Sequence, residues 1–130
     1  MEFRSITPDK RLARSLVRNA EERERALAQL NPEEFSTTLA EGRYELLKEL
    51  VTALMALEGY KPETHESLAL YLLSRGDFSP KETEFLDELR KVRNNISYRG
   101  YRVTPDYLRR REALIRQLTE KLRALITQYQ

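Results

Sequence analysis

The stretch Arg93-Asn94-Asn95-Ile96-Ser97-Tyr98-Arg99-Gly100-Tyr101 gathers arginine, two amides, a hydroxyl and two phenols in one short segment. A guanidinium meets phosphate or carboxylate oxygens through paired N–H donors. A tyrosine stacks on a base or hydrogen-bonds a phosphate. From Arg90 through Arg111 there are eight Lys/Arg residues and one acid, Asp106, a net +7. The rest of the chain holds fifteen basic and twenty acidic side chains, a net −5. A near-neutral chain that concentrates positive charge in this way is expected to have built a site for an anion.

Prolines and glycines mark the elements that must position this segment. Thr7-Pro8, Asn31-Pro32, Ser79-Pro80 and Thr104-Pro105 each put a capping side chain before a proline at the first helical position. Ser79 and Glu82 have capping-box spacing, and Asn31 and Glu34 a similar one. Gly59, Gly76 and Gly100 fall where helices should stop. Five helices follow, with no convincing strand: from about Pro8 to Leu30, Glu33 to Glu58, Thr64 to Gly76, Pro80 to Gly100, and Pro105 to the end.

The predicted apolar contacts are Leu12, Leu16, Ala20, Leu27 and Leu30 on the first helix. Phe35, Leu39, Leu46, Leu47, Leu50, Val51, Leu54 and Met55 make the strongest stripe, on the second. Phe85, Leu89, Val92 and Ile96 line the fourth. Gly42, inside the second helix, is expected to mark a close crossing or a bend. Short connections between long helices predict an all-α fold, an up-and-down antiparallel bundle over residues 1–130 as one domain.

At 100° per residue, with Phe85 as zero, Arg93 lies roughly 80° around the fourth helix, Ser97 120°, Arg90 140° and Asn94 180°. These four share a face beside the buried row. Tyr98 falls about 140° from Arg93 if the helix stays regular. Either the helix unwinds before Gly100, or a second copy of the protein completes the site.

Gly59-Tyr60-Lys61-Pro62-Glu63-Thr64-His65-Glu66-Ser67-Leu68, followed by Leu89-Arg90-Lys91-Val92-Arg93-Asn94-Asn95-Ile96-Ser97-Tyr98, resembles a HEPN domain (higher eukaryotes and prokaryotes nucleotide-binding). The resemblance spans the second to fifth helices. It implies a helical bundle that homodimerises, with many members acting as metal-independent endoribonucleases beside a small nucleotidyltransferase partner. The family signature is Arg, four to six residues, then His, often with a polar residue directly after the Arg. Arg93 and Asn94 match its first part, and Tyr98 stands where the histidine belongs.

Histidine can take and return a proton near neutrality, whereas tyrosine's ordinary pKa is about three units too high for that work. The resemblance therefore implies a non-catalytic or weakly catalytic module binding nucleotide or RNA, or the nucleotidyltransferase, through Arg90, Arg93, Ser97 and Arg99. The alternative is a toxin-like ribonuclease in which Arg93, Asn94 and Tyr98 form a composite dimer site. A structural adaptor whose charged block meets an acidic protein is the third reading. Arg109-Arg110-Arg111 opposes the dipole at the start of the fifth helix, which mildly favours an anionic partner over a solvated face.

The chain has no cysteine and one histidine, His65, expected in the first turn of the third helix in a structural role. Thiolate metal sites are excluded, and one histidine cannot make a zinc site, so no metal or cofactor is expected. No run approaches a membrane span and the N-terminus lacks a signal-peptide core, so a cytoplasmic location is expected.

Overall fold

Side chains that cap backbone amides write the helix starts. The computed structural model describes residues 2–129, with α1 at Lys10–Ala28, α2 at Ser36–Glu58, α3 at Ser67–Arg75, α4 at Pro80–Arg99 and α5 at Pro105–Thr127. At α4 the Ser79 hydroxyl accepts from the Glu82 amide at 3.1 Å, and the Glu82 carboxylate accepts from the Ser79 amide at 2.8 Å. Thr104 caps α5 by accepting from the Tyr107 amide at 3.2 Å. Both caps stand where the spacing predicts them, because each is a local interaction across three residues.

The other starts lie later than predicted. Asp9, not Thr7, caps α1, accepting from the Leu12 amide at 3.0 Å. The preceding chain is held extended: β1 (Phe3–Ser5) pairs antiparallel with β2 (Tyr60–Pro62). The Ile6 amide donates to the Gly59 carbonyl at 2.8 Å and the Asp9 amide to the Ala56 carbonyl at 2.9 Å. No strand was expected, and three residues are too few to show the alternation that marks one. Asn31 closes a turn by accepting from the Glu33 amide at 2.9 Å, but α2 waits until Ser36. There the Ser36 hydroxyl donates to the Val103 carbonyl at 2.5 Å, and Thr37 accepts from the Val103 amide at 2.9 Å. Thr64 and Ser67 bond each other across a turn that holds His65, so the histidine precedes α3 instead of lying in it.

The long helices alternate in direction. The C-terminal half of α1 meets the start of α2, where Leu27 packs with Leu39 and Gly42. Arg93 and Ser97 near the end of α4 reach Glu45 and Glu41 near the start of α2. Glu82 and Glu88 of α4 reach Lys121 and Arg111 of α5, again antiparallel. The middle of the bundle is α2: Leu46, Leu47, Leu50, Val51, Leu54 and Met55 are fully buried. Leu12 and Phe35, read from spacing as apolar contacts, are instead 42% and 39% exposed. On α1 the buried side is Ala13 and Ala20, one position round from Leu12, with Leu16 and Val17 packed beside them.

Gly42 marks a close crossing in an unbroken α2. A Cβ there would stand 2.5 Å from Leu27 Cδ2 and 3.1 Å from Cδ1. Alanine normally gains about 1 kcal/mol over glycine inside a helix. Overpacking a buried leucine costs about 1–3 kcal/mol and outweighs that gain. Gly42→Ala is therefore expected to lower stability by about 1 kcal/mol in urea unfolding. A raised midpoint would show that Leu27 turns away freely.

Candidate functional site

α4 carries the candidate site residues from Arg90 to Arg99, and the bundle divides them between two places. Arg93 faces α2, where its Nε lies 3.3 Å from Glu45 Oε1. The guanidinium side chain is 23% exposed and the glutamate 17%. Among the described residues neither of those two atoms makes a hydrogen bond, so they touch as charges without good alignment. Arg90 donates to Asp87 at 2.9 Å and stands 3.6 Å from Glu66. Ser97 donates at 3.5 Å to Glu41, and Asn94 is half-buried.

Tyr98 and Arg99 lie elsewhere. The helix stays regular through Arg99 and ends on Gly100, whose φ of 65° is left-handed. The Gly100 and Tyr101 amides both turn back to the Asn95 carbonyl. Unwinding before Gly100, one of the two predicted ways of joining Tyr98 to Arg93, does not occur. Tyr98 is 78% exposed at the tip, while Arg93 is held against α2.

Folding largely cancels the charge block. Lys91 pairs with Asp87 at 3.5 Å and Arg110 with Asp106 at 3.1 Å. Arg109 is bound by Glu33, while Arg111 pairs with Glu88 at 2.8 Å and lies over the Tyr107 ring. With Arg90 and Arg93 also paired, only Arg99 and Arg102 of the block lack a carboxylate partner among the described residues. Both are exposed and alternate with Tyr98 and with Tyr101, which is 61% exposed. The Tyr98-Arg99-Gly100-Tyr101-Arg102 tip is thus the part of the block that keeps its positive charge available.

A second basic surface escaped the sequence reading. Lys10, Arg11, Arg14 and Arg18 of α1 are exposed and form no ion pair among the described residues. Arg11, Arg14 and Arg18 fall within an arc of about 60° on the helix. The signal was present as three-four spacing with no acid between Lys10 and Arg18. Glu21, Glu22 and Glu24 hid it in a tally of the whole chain.

Beneath Arg93 and Arg90 lies a buried phenol, Tyr44, whose hydroxyl has no hydrogen-bond partner among the described residues. Burial, reinforced by the Glu45 charge, pushes its pKa up to about 12, so it stays neutral. The His65 ring stands 6.5 Å from the Tyr44 ring. Desolvation against this surface, then the charges of Lys48 and Arg93, hold the imidazole below its ordinary pKa. His65 is therefore neutral at pH 7 and able to accept a proton.

Among the described residues no group of His, Cys, Asp or Glu side chains could hold a metal ion, and no helix is long and apolar enough to cross a membrane. Compared with protein-family models, curated proteins and solved structures, the chain finds no match in any of the three.

Proposed function

We propose that this chain is a HEPN-like, non-catalytic module that binds single-stranded RNA through the C-terminal tip of α4. The observation that carries this reading is the exposure of Tyr98 and Tyr101 beside Arg99 and Arg102, the two cations of the block without a carboxylate partner among the described residues. Bases stack on exposed phenols and phosphates meet the guanidiniums, whatever the base sequence. A helix C-terminus is the negative end of the dipole and by itself disfavours phosphate. Arg99 in the last turn and Arg102 just beyond it offset that bias. Arg93 is left to a structural role against Glu45, and the tyrosine in place of the motif histidine is remote from it.

Fluorescence anisotropy with a labelled twelve-nucleotide uridine RNA tests the reading. Tyr98→Ala and Tyr101→Ala are each expected to weaken binding about tenfold. Arg99→Gln with Arg102→Gln flattens the log–log salt dependence by about 1.4, or about 0.7 for each lost phosphate contact. Arg14→Gln with Arg18→Gln leaves the affinity within about twofold. Equal affinity in the tip variants and loss in the α1 variant would move the site to the other end of the bundle.

One observation favours ribonuclease activity as a second reading. The neutral His65 shares the Tyr44 surface with Arg93 and offers a proton acceptor that position 98 lacks. In a homodimer, a partner copy would complete that site. Incubation with single-stranded RNA in EDTA decides it. Cleavage that disappears in His65→Gln supports this reading, and intact RNA with wild type removes it.

A further inference from the structure

α3 leaves one side of the bundle uncovered. Leu70 is 46% exposed and Leu73 51%, and their spacing of three puts them on one helical face. They overlook a groove of about 830 Å³ whose other wall is α4 from Thr83 to Asn95. Ala69 and Val92 extend its apolar lining. Along α4 this wall is about 18 Å long, the length of a three-turn helix.

The charges around the groove define what fits there. Glu2, Glu66, Glu84, Asp87 and Glu88 line it against two cations, Arg90 and Lys91. Both cations are already held by Asp87, at 2.9 and 3.5 Å. Glu2 and Glu84 have no ion-pair partner among the described residues, and Glu66 touches only Arg90, at 3.6 Å. Acids outnumber bases five to two around the groove, and with Glu88 taken by Arg111 of α5 the carboxylates left for a partner are Glu2, Glu66 and Glu84, in a chain whose overall charge is +2. Phosphates are repelled from such a rim, and an acidic helix would leave its charges unpaired.

We propose that this groove docks a basic amphipathic helix of a partner protein. The partner's apolar residues, spaced i, i+3, i+4 and i+7, would pack on Leu70, Leu73 and Val92. Its flanking Lys or Arg side chains would pair with Glu2, Glu66 and Glu84. The tip of α4 stays free in this arrangement, so the partner and RNA occupy different surfaces.

The probe is an 18-residue peptide of leucine at that spacing with lysine at the remaining positions. Controls are the same peptide with glutamate for lysine, and a scrambled leucine–lysine peptide that cannot form one apolar face. Anisotropy should show saturable binding of the first, with increased helicity by circular dichroism, and at least tenfold weaker binding of both controls. Leu70→Asp with Leu73→Asp, on exposed positions that the fold does not need, should weaken it at least tenfold. Glu2→Lys with Glu84→Lys should do the same and flatten its salt dependence. Equal binding of the scrambled peptide, or unchanged affinity in both double variants, would overturn the proposal. So would concentration-dependent dimerisation in sedimentation that Leu70→Asp with Leu73→Asp abolishes, because the occupant would then be a second copy.

Discussion

Arg93→Ala is expected to lower the stability of the fold by about 1–2 kcal/mol. Two cations face Glu45: the Lys48 ammonium, 2.6 Å from Oε2 within α2, and the guanidinium, 3.3 Å from Oε1 across the α2–α4 contact. Removing the guanidinium leaves the Glu45 Oε1 atom, already shielded from water, with no hydrogen-bond donor among the described residues; the buried Tyr44 hydroxyl makes none to it. Breaking a fully buried pair costs about 3–5 kcal/mol, and the partial exposure of both side chains, with Lys48 still on the other oxygen, places this pair below that range. A double variant, Glu45→Leu with Arg93→Met, removes both charges and keeps the volume. It is expected to recover most of the loss. Urea unfolding of the four members of the cycle measures this. A single variant as stable as wild type would show that the arginine is free to serve an anion. The same energetics govern functional tests at this position. RNA binding lost in Arg93→Ala would report unfolding as readily as a lost contact, so Arg93→Lys is the variant to assay beside it.

The helical frame was legible because its signals are local. Ser79 with Glu82, Thr104 with Tyr107, and the glycine after α4 act within one turn, and spacing reveals them. Thr7 and Asn31 carry the same kind of signal yet open no helix where it places one. The reason is distant: Ile6 and Asp9 are tied to the end of α2, and Ser36 and Thr37 to Val103, more than sixty residues away. The angular position of Arg93, next to the buried row, was readable because α4 is regular. Its partner was not, since Glu45 is a different helix's residue and nothing local marks the two as neighbours. Charge behaved in the same way. Eight cations close in sequence read as one patch, but Glu33, Glu45 and Glu88 reach them from other elements or from an earlier part of α4. A run of charge in the sequence becomes a field at the surface only where folding brings no counter-charge to it. That condition is met at Arg99 and Arg102, and on the α1 face.

The other large effect is expected at Glu82, where Glu82→Ala should cost about 3–4 kcal/mol. Glu82 is 3% exposed, and one oxygen accepts from the Ser79 amide at 2.8 Å and from Lys121 Nζ at 3.1 Å. The other accepts from Gln117 Nε2 at 3.0 Å. Alanine removes half of the capping box and strips three donors of their acceptor at once. Lys121 keeps its place over the Phe78 ring, 4.4 Å from the centroid, which limits but does not cancel the loss. Burial alone would push the carboxyl's pKa up; the bonds from Ser79, Gln117 and Lys121 outweigh burial and hold it below its ordinary value of 4.5. A carboxylate favoured in the folded state contributes stability that is present above the ordinary pKa. That contribution is lost as pH falls through the lowered folded value. Wild-type urea midpoints should therefore drop more steeply below about pH 4.5 than those of Glu82→Gln, which has no charge to lose there. Asp77, Asp87 and Glu88 are held low by Arg75, Arg90 and Arg111 and supply the slope that the variant retains. Identical slopes in the two proteins would mean that Glu82 is not the anchor described. As built, it fixes the N-terminal end of α4 to α5, and so sets one wall of the groove and, some twenty residues on, the direction in which the tip points.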